Sequence, residues 1–287
     1  MQIKFGFLKR FRSKDKIYLP DKRIEDRKMA EKRHDIDSGI FQGRYVSFNL
    51  GRFTDEFIYG RFQIFDEIKN DLKKLKTNSK VLDLGSGTGH LSQFIRDLGH
   101  EVIGLDPSKE MLKYAKKNFP EIKFINGISA ELPFEADSFD YVVSIEVLRY
   151  LNEEDVDKTY EEIYRVLKPN GFFNVTHVNK FATDLYYFYY HLIKFSNYAQ
   201  GKNYHNCYFT TPEREEIKLK KLNFRRIITK GKMFATIRIF YKFGKIFKFS
   251  KLLGKYYSHL VEIINKSQEF KNRYKKFAGH LIIKGFK

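Results

Sequence analysis

Residues 81–89, Val-Leu-Asp-Leu-Gly-Ser-Gly-Thr-Gly, combine an apolar run with three alternating glycines, and an amphipathic helical pattern follows them. We predict a strand, a tight turn and the start of a helix. Gly85, Gly87 and Gly89 have no Cβ, so the backbone there can turn sharply and approach a ligand closely. The N–H groups of such a turn and of the helix N-terminus face that ligand. Asp83, at the end of the strand, can accept hydrogen bonds from a cationic group.

A second acidic side chain follows this turn at an informative distance. Residues 101–106, Glu-Val-Ile-Gly-Leu-Asp, read as a second strand that ends in Asp106. In nucleotide-binding folds, an acid roughly 20 residues further on holds ribose hydroxyls. The turn is not the dinucleotide fingerprint Gly-x-Gly-x-x-Gly/Ala, because His90 stands at its last position. We therefore expect Asp106 to hold the ribose of a different ligand.

The motif Asp83-x-Gly85-x-Gly87-x-Gly89 resembles motif I of the class I S-adenosylmethionine-dependent methyltransferases. Four further segments resemble this family in its order and spacing, and they are 101–112, 124–134, 138–148 and 165–173. The resemblance covers about residues 76–178, a third of the chain. It departs at Ile128, where the family often has an Asp that contacts the adenine amino group. We therefore expect backbone groups and apolar packing to hold adenine here.

The resemblance implies S-adenosylmethionine as the cofactor and S-adenosylhomocysteine as its product. Asp106 would hold the ribose hydroxyls, and the helix face that carries Met111 would lie against adenine. The residues implied to contact the cofactor are Asp83, Gly85, Ser86, Gly87, Gly89, Asp106, Pro107, Met111, Ile128, Ser129, Ala130, Ile145 and Glu146.

The elements that must position these residues alternate between strands and helices. The resemblance implies an α/β fold with a Rossmann-like seven-stranded sheet in the order 3-2-1-4-5-7-6, the last strand being antiparallel. We expect a helical N-terminal extension over residues 1–75, with one clear helix at about 55–75. The methyltransferase domain is predicted over residues 76–287, with helical inserts after strands five and six at about 181–209 and 234–276. The first insert is very aromatic and stands where such enzymes commonly place a lid.

Candidates for the transfer chemistry lie where strands four and five end, since ligands bind at the carboxyl ends of strands in this sheet class. They are Glu146, Arg149, Tyr150 and His177. An oxygen nucleophile benefits from a general base, and we predict His177 as that base and Tyr150 as a further catalytic residue. The family often has Glu-His where this chain has Arg149-Tyr150. The alternative for His177 is a structural role in the core.

The chain carries a formal charge of +19, and this charge is unevenly distributed. Residues 81–177 contain 10 basic and 17 acidic side chains, whereas residues 212–287 contain 21 basic and 5 acidic ones. Such a basic patch points to nucleic acid, a membrane surface or an acidic substrate, with a plain solvated surface as the alternative. The basic and aromatic residues of 237–264 favour a substrate cover, peripheral contact of the segment 217–261 with anionic lipid, or RNA binding.

The remaining composition narrows the class of protein. One cysteine, Cys207, excludes an internal disulfide and suits a reducing cytosol. No uncharged apolar run reaches the roughly 20 residues of a membrane span, and no metal-ligand spacing is present. We expect a cytoplasmic enzyme, with peripheral membrane contact as an extension, that methylates a small or lipid-like acceptor at oxygen. An RNA methyltransferase and a non-catalytic binding protein that keeps the fold are the alternatives.

Overall fold

The structure is a computed structural model that describes residues 56–183, 186–202, 204–234 and 272–287, with single helical residues between 25 and 39 and between 256 and 263. Within these residues the strands are β1 (Lys80–Leu84), β2 (Glu101–Asp106), β3 (Lys123–Asn126), β4 (Phe139–Ser144), β5 (Leu167–Asn179), β6 (Phe209–Thr210), β7 (Arg225–Phe234) and β8 (Ala278–Phe286). The helices are α1 (Glu56–Leu72), α2 (His90–Asp97), α3 (Lys109–Asn118), α4 (Glu153–Val166), α5 (Tyr186–Ala199) and α6 (Pro212–Lys221), with 3₁₀ helices at Leu148–Tyr150 and Asn272–Phe277.

The strands form one sheet in the order β3-β2-β1-β4-β5-β8-β7. β1 to β5 run parallel, and β8 is antiparallel to both β5 and β7. The predicted sixth and seventh strands are β7 and β8, so the predicted Rossmann-like order is confirmed. The structure adds β6, which pairs with the end of β5. A strand of two residues has no periodicity that a sequence pattern could show.

Local sequence signals explain where the helices begin. The Ser108 Oγ accepts a hydrogen bond from the Met111 N–H at 3.1 Å and caps α3. Thr211 caps α6 in the same way, and Pro212 occupies the first helical position, where a missing N–H costs nothing. Both caps place the preceding loop at the carboxyl end of a strand, which is where the site forms.

Two hydrophobic cores lie on opposite faces of the sheet. The core under α4 and α6 includes Leu82, Leu84, Val142, Tyr160, Ile163, Phe173, Val175, Leu219, Leu281 and Ile283. The core under α1, α2 and α3 includes Ile64, Ile68, Val81, Ile95, Leu112, Tyr141, Val143, Phe172 and Ile282. Because side chains alternate along a strand, Phe173, Val175 and every second residue after them on β5 face α4 and α6.

The helix α1 is anchored across the sheet by its last turn. Asp71 accepts hydrogen bonds from the Asn174 Nδ2 and the Lys284 Nζ, both at 2.6 Å. These donors stand on β5 and β8, so α1 is held over the centre of the sheet. The helix predicted at about 55–75 is therefore present as α1, and it covers the face beside the glycine turn.

The predicted inserts are described to different extents. The first contains α5, which follows β5 and packs through Tyr190 against Val178 and Phe209. The second, at 234–276, lies largely outside the described residues. The same holds for most of residues 1–55 and for most of the basic segment 217–261 beyond residue 234.

Candidate functional site

The turn after β1 presents backbone groups at the carboxyl end of the strand. Gly85, Gly87 and Gly89 have positive φ angles of 81°, 53° and 84°. A Cβ on Gly85 would stand 2.0 Å from the Cγ2 of Val147, whereas a Cβ on Gly87 would meet no atom within 4 Å. Packing within the protein therefore requires glycine at position 85. Gly87 instead borders open space, where a ligand can approach the backbone.

Asp106 connects this turn to the end of β2. Its Oδ2 accepts a hydrogen bond from the Gly87 N–H at 2.9 Å, and its Oδ1 accepts one from the Ser108 N–H at 2.8 Å. The pKa of Asp106 is raised to about 6, chiefly by burial and also by the charges of Asp35 and Glu31. The two N–H donors lower this pKa but do not cancel the rise. A carboxylate has about four acceptor positions, so Asp106 keeps acceptor capacity for the predicted ribose hydroxyls.

Asp83 is a second buried acid beside the same turn. The Ser92 Oγ donates a hydrogen bond to its Oδ2 at 2.6 Å. Burial raises the pKa of Asp83 to about 7, and the nearby charge of Asp106 adds to this rise, while Ser92 and the Arg61 guanidinium oppose it. Two acids that resist ionisation side by side favour a ligand that brings a positive charge.

The other residues predicted to contact the cofactor follow the ends of β2, β3 and β4. They are Pro107, Met111, Ile128, Ser129, Ala130 and Ile145, of which Met111 and Ile128 were expected near adenine. Met111 is buried behind the cap of α3, and Ile145 belongs to the core under α1. Ser129 is held inside the protein by its Oγ, which lies 2.9 Å from the Thr159 Oγ1 of α4. Contact of these residues with the cofactor stays a prediction.

The groups at this turn fit a cationic, ribose-bearing cofactor. Gly87 leaves open space beside the backbone, and Asp83 and Asp106 supply two acceptors. The Ser86 Oγ is buried and has no hydrogen-bond partner within the part of the chain that the structure describes. Bound S-adenosylmethionine would carry its positive charge and its ribose to this place.

Glu146 forms a second polar cluster where β4 ends. It has a positive φ of 61°, and its Oε1 lies 2.9 Å from the His280 Nδ1 and 3.2 Å from the Thr176 Oγ1. Its Oε2 accepts a hydrogen bond from the Arg149 Nη1 at 2.8 Å. Burial opposes ionisation of Glu146, but His280 and Arg149 outweigh it and hold the pKa of Glu146 well below its usual value. Both carboxylate oxygens thus have protein partners.

His177 lies in the core rather than in a pocket. The Tyr160 hydroxyl is 2.6 Å from its Nε2 and donates to the Glu215 Oε2 at 2.7 Å. Because that hydroxyl has one proton to give, the His177 Nε2 must carry a hydrogen. Burial lowers the pKa of His177, so the ring is neutral. The expectation that His177 faces the pocket is wrong, because the alternation of β5 points it toward α4 and α6.

Tyr150 lies in the 3₁₀ helix that follows Glu146, and its side chain is partly buried. Its ring centroid is 5.5 Å from the Arg149 Cζ, which suits a cation–π contact. The ring also lies 6.2 Å from that of His205. The catalytic role of Tyr150 stays a prediction.

Comparisons with known proteins agree with this geometry. Residues 81–171 match a family described as a methyltransferase domain. The ubiquinone/menaquinone biosynthesis C-methyltransferase UbiE of Rickettsia felis is 32% identical over 175 residues, which cover 55% of this chain and 68% of that protein. The chain belongs to the class I S-adenosylmethionine-dependent methyltransferases.

Further relatives of this methyltransferase share shorter regions with it. The demethylmenaquinone methyltransferase of Paenarthrobacter aurescens is 35% identical over 146 residues, covering 51% of this chain and 56% of that protein. The chain spans about half the length of several curated relatives that it matches.

Solved structures show that the fold is shared. A methyltransferase dependent on S-adenosylmethionine from Archaeoglobus fulgidus has a TM-score of 0.52 at 18% identity, covering 79% of this chain and 94% of that one. Phosphoethanolamine N-methyltransferase 2 of Haemonchus contortus has a TM-score of 0.53 at 24% identity, covering 77% of this chain and 51% of that one.

Sequence reasoning missed three residues of the methyltransferase's site. The sequence analysis treated His280 only as part of the last strand. A histidine in an otherwise apolar strand could have indicated a polar contact there. Arg61 lowers the pKa of both Asp83 and Glu146, so it stands within electrostatic reach of both acids. Asp35 accepts a hydrogen bond from the Ser108 Oγ. No motif marks Arg61 or Asp35, because each comes from a region without family resemblance.

A cleft of about 530 Å³ lies beside α5 in this methyltransferase. Its walls include Lys180 at the end of β5, Tyr187 and His191 of α5, and Phe209 of β6. Cys207 also lines it, but burial raises the pKa of that thiol to about 11, so it is protonated at neutral pH. The cleft combines aromatic walls with two cationic side chains, Lys180 and Arg214, and two acidic ones, Glu153 and Glu154.

Among the residues that the structure describes, no helix is long and apolar enough to cross a membrane. Within the same residues no group of three or more metal-ligating side chains is arranged to hold an ion.

Proposed function

We propose that this methyltransferase transfers the methyl group to a ring carbon of a lipophilic hydroquinone. The relatives named as ubiquinone/menaquinone C-methyltransferase and demethylmenaquinone methyltransferase support a quinone-type acceptor. They do not support the expected transfer to oxygen, so we replace that expectation with transfer to carbon. The chain covers 68% of the UbiE protein and 56% of the demethylmenaquinone methyltransferase. The acceptor of this chain is therefore a proposal.

The observation that carries the proposal is the pair formed by Glu146 and His280. A hydroquinone carbon becomes a good nucleophile when the neighbouring hydroxyl loses its proton, so this reaction needs a proton acceptor at the site. The Glu146 carboxylate lies 2.9 Å from the His280 Nδ1, and this contact orients the imidazole. The pair stands at the carboxyl end of β4, on the sheet face that α1 covers.

Each residue of the site has a separate role in this proposed methyl transfer. Bound S-adenosylmethionine supplies an electrophilic methyl group on a sulfonium. Asp83 and Asp106 would hold its positive and ribose ends, and the Gly87 backbone would lie against it. His280 accepts the hydroxyl proton of the acceptor, with the Glu146 carboxylate beside its imidazole. As the bond from the ring carbon to the methyl group forms, the bond from the methyl group to sulfur breaks; the hydrogen displaced from that carbon then restores the hydroxyl, and His280 releases its proton to solvent. Tyr186, on the inner side of α5, stands next to the acceptor side, and its hydroxyl accepts a hydrogen bond from the Arg149 Nη2 at 2.9 Å.

A direct assay separates this function from its alternatives. The purified chain is incubated with ¹³C-methyl-labelled cofactor and a short-chain demethyl naphthoquinol kept reduced by dithionite. We expect a product whose label is bonded to carbon in the NMR spectrum. The Gly87→Arg variant, which fills the open space beside the turn, is the cofactor-deficient control and should give no product.

Two other results would reject the hydroquinone assignment. A label found on oxygen would restore the original expectation of O-methylation. Label transferred to bulk tRNA or rRNA, with none to the naphthoquinol, would favour the RNA alternative, for which the comparisons offer no support.

A further inference from the structure

We propose that the outward face of α5 docks on an anionic lipid bilayer. Six large apolar or aromatic side chains on and beside this helix are each at least 60% exposed, and they are Phe181, Phe188, Tyr189, Leu192, Phe195 and Tyr198. Phe188, Leu192 and Phe195 follow the spacing of one helix stripe. A surface helix normally turns polar residues outward, so this face needs a partner.

The helix does not need this face in order to fold. Its inner side is held by Tyr190, which is 2% exposed and donates a hydrogen bond to the His205 carbonyl at 2.7 Å. Tyr190 also packs against Val178 and Phe209. The inner contacts therefore set the orientation of α5. Its apolar outer face makes no contribution to these contacts.

A second chain segment extends the apolar face. The Thr183 N–H donates to the Phe277 carbonyl at 3.3 Å, which joins the loop before α5 to the 3₁₀ helix before β8. Phe277 is itself 39% exposed. The backbone of Phe277 thus lies beside the loop that leads from Phe181 into α5, and both rings are exposed.

The charges around this face identify an anionic lipid surface as its partner. The Lys180 Nζ lies 5.8 Å from the Phe181 ring, and the Lys276 Nζ lies 5.1 Å from the Phe277 ring. Residues 180–212 contain Lys180, Lys194 and Lys202 against a single acid, Asp184. These contacts place an ammonium group beside each exposed ring, and such a mixture of cationic and aromatic groups suits the interface of an anionic bilayer. Each such lysine adds attraction to an anionic leaflet.

The same charges argue against a second copy of the chain as the partner. A symmetric contact through this face would set the lysines of one copy opposite those of the other. Contact with lipid also suits a helix that lies in the interface rather than across it, and no described helix is built to span a membrane. This docking does not depend on which acceptor is methylated.

The test compares binding of the full chain to vesicles of phosphatidylcholine alone and of phosphatidylcholine mixed with phosphatidylglycerol. We expect co-sedimentation with the mixed vesicles, weakened by salt. The triple variant Phe188→Ser, Leu192→Ser and Phe195→Ser should lower the partition coefficient about tenfold or more, since it removes the apolar contact. Ile217→Ser is the matched control, because Ile217 is 57% exposed but lies on α6, and it should bind as the wild type does.

Three measurements make the outcome decisive. The triple variant should keep the wild-type circular dichroism and its affinity for S-adenosylhomocysteine, which separates this proposal from the proposed function. Absence of wild-type binding to the mixed vesicles, or equal binding by the triple variant, would overturn it. A wild-type dimer in light scattering that the triple variant abolishes would also overturn it and assign the face to a second copy.

Discussion

Glu146 and His280 are 134 residues apart in the chain, yet their side chains meet at 2.9 Å between Oε1 and Nδ1. Insertion of β8 between β5 and β7 produces this contact, because it places His280 opposite Val178 near the carboxyl end of β5. An ionised carboxylate therefore faces an imidazole at the edge of the predicted acceptor site.

The first prediction concerns His280. His280→Gln removes the proton acceptor but keeps a polar group of similar reach, so we expect kcat to fall about 10²- to 10³-fold. Affinity for S-adenosylhomocysteine, measured by calorimetry, should stay within about twofold. An unchanged kcat on the true acceptor would exclude His280 as the base.

The second prediction concerns His177 and follows from its burial. His177→Ala leaves a cavity and deprives the Tyr160 hydroxyl of its donor, so we expect a loss of about 2–4 kcal/mol in the free energy of unfolding. Denaturant titration measures this loss. The kcat of the folded variant should remain near that of the wild type. A normal stability with a large loss of kcat would return His177 to a catalytic role.

The third prediction compares two glycines of one turn. Gly85→Ala forces a Cβ against Val147 at a positive φ, so it should lower the melting temperature strongly. Gly87→Arg meets no protein atom at its Cβ, so the fold should survive with a smaller decrease. It should nevertheless abolish binding of S-adenosylhomocysteine in calorimetry. Normal binding by Gly87→Arg would show that the open space is not the cofactor's place.

The fourth prediction concerns the ribose. Asp106→Ala removes the carboxylate that is predicted to accept hydrogen bonds from ribose hydroxyls, and hydrogen bonds to charged groups contribute about 1.5–3 kcal/mol each. We expect the Kd for S-adenosylhomocysteine to rise about 10- to 100-fold. Asp97→Ala, on α2, changes an acid whose side chain accepts a bond from the Gln93 Nε2. That control should leave the Kd unchanged, and equal Kd values for both variants would contradict the assignment.

The fifth prediction concerns pH. The pKa of Asp83 is raised to about 7 and that of Asp106 to about 6, so the folded protein holds protons that the unfolded chain has released. These groups therefore lower the stability of the cofactor-free protein as pH rises from about 4 to about 7. A ligand with an ammonium group favours the ionised acids, so its affinity should rise over the upper part of this range.

Calorimetry with S-adenosylhomocysteine at several pH values measures this effect. If the ligand requires the ionised form of Asp83, the affinity should increase by about tenfold between pH 6 and pH 8. Asp83→Asn should remove the part of the change centred near pH 7. A pH-independent affinity in the wild type would mean that neither acid meets a cationic group.

The sequence was sufficient for the cofactor half of the fold because its signals are local. A glycine turn, a strand that ends in Asp106 and a capping serine at position 108 each act within a few residues. The predicted sheet order, including the antiparallel last strand, is also confirmed, and that prediction came from the family that these segments resemble.

The acceptor side could not be predicted because long-range contacts create it. The register of β8 brings His280 to Glu146, and the alternation of β5 turns His177 into the core, where its predicted role as a base stays untested. A one-residue shift in either register would exchange the two faces. The sequence pattern showed that His280 lies in the last strand, but it did not show which residue of that strand meets Glu146.

Insertion of β8 between β5 and β7 also has a consequence for synthesis. A ribosome delivers β5 and β7 before β8, so β7 has no neighbour in the sheet until the later strand emerges. The cofactor turn and its two acids are complete much earlier. The turn predicted to bind the cofactor is thus translated well before β8 brings the proposed proton acceptor His280 to Glu146.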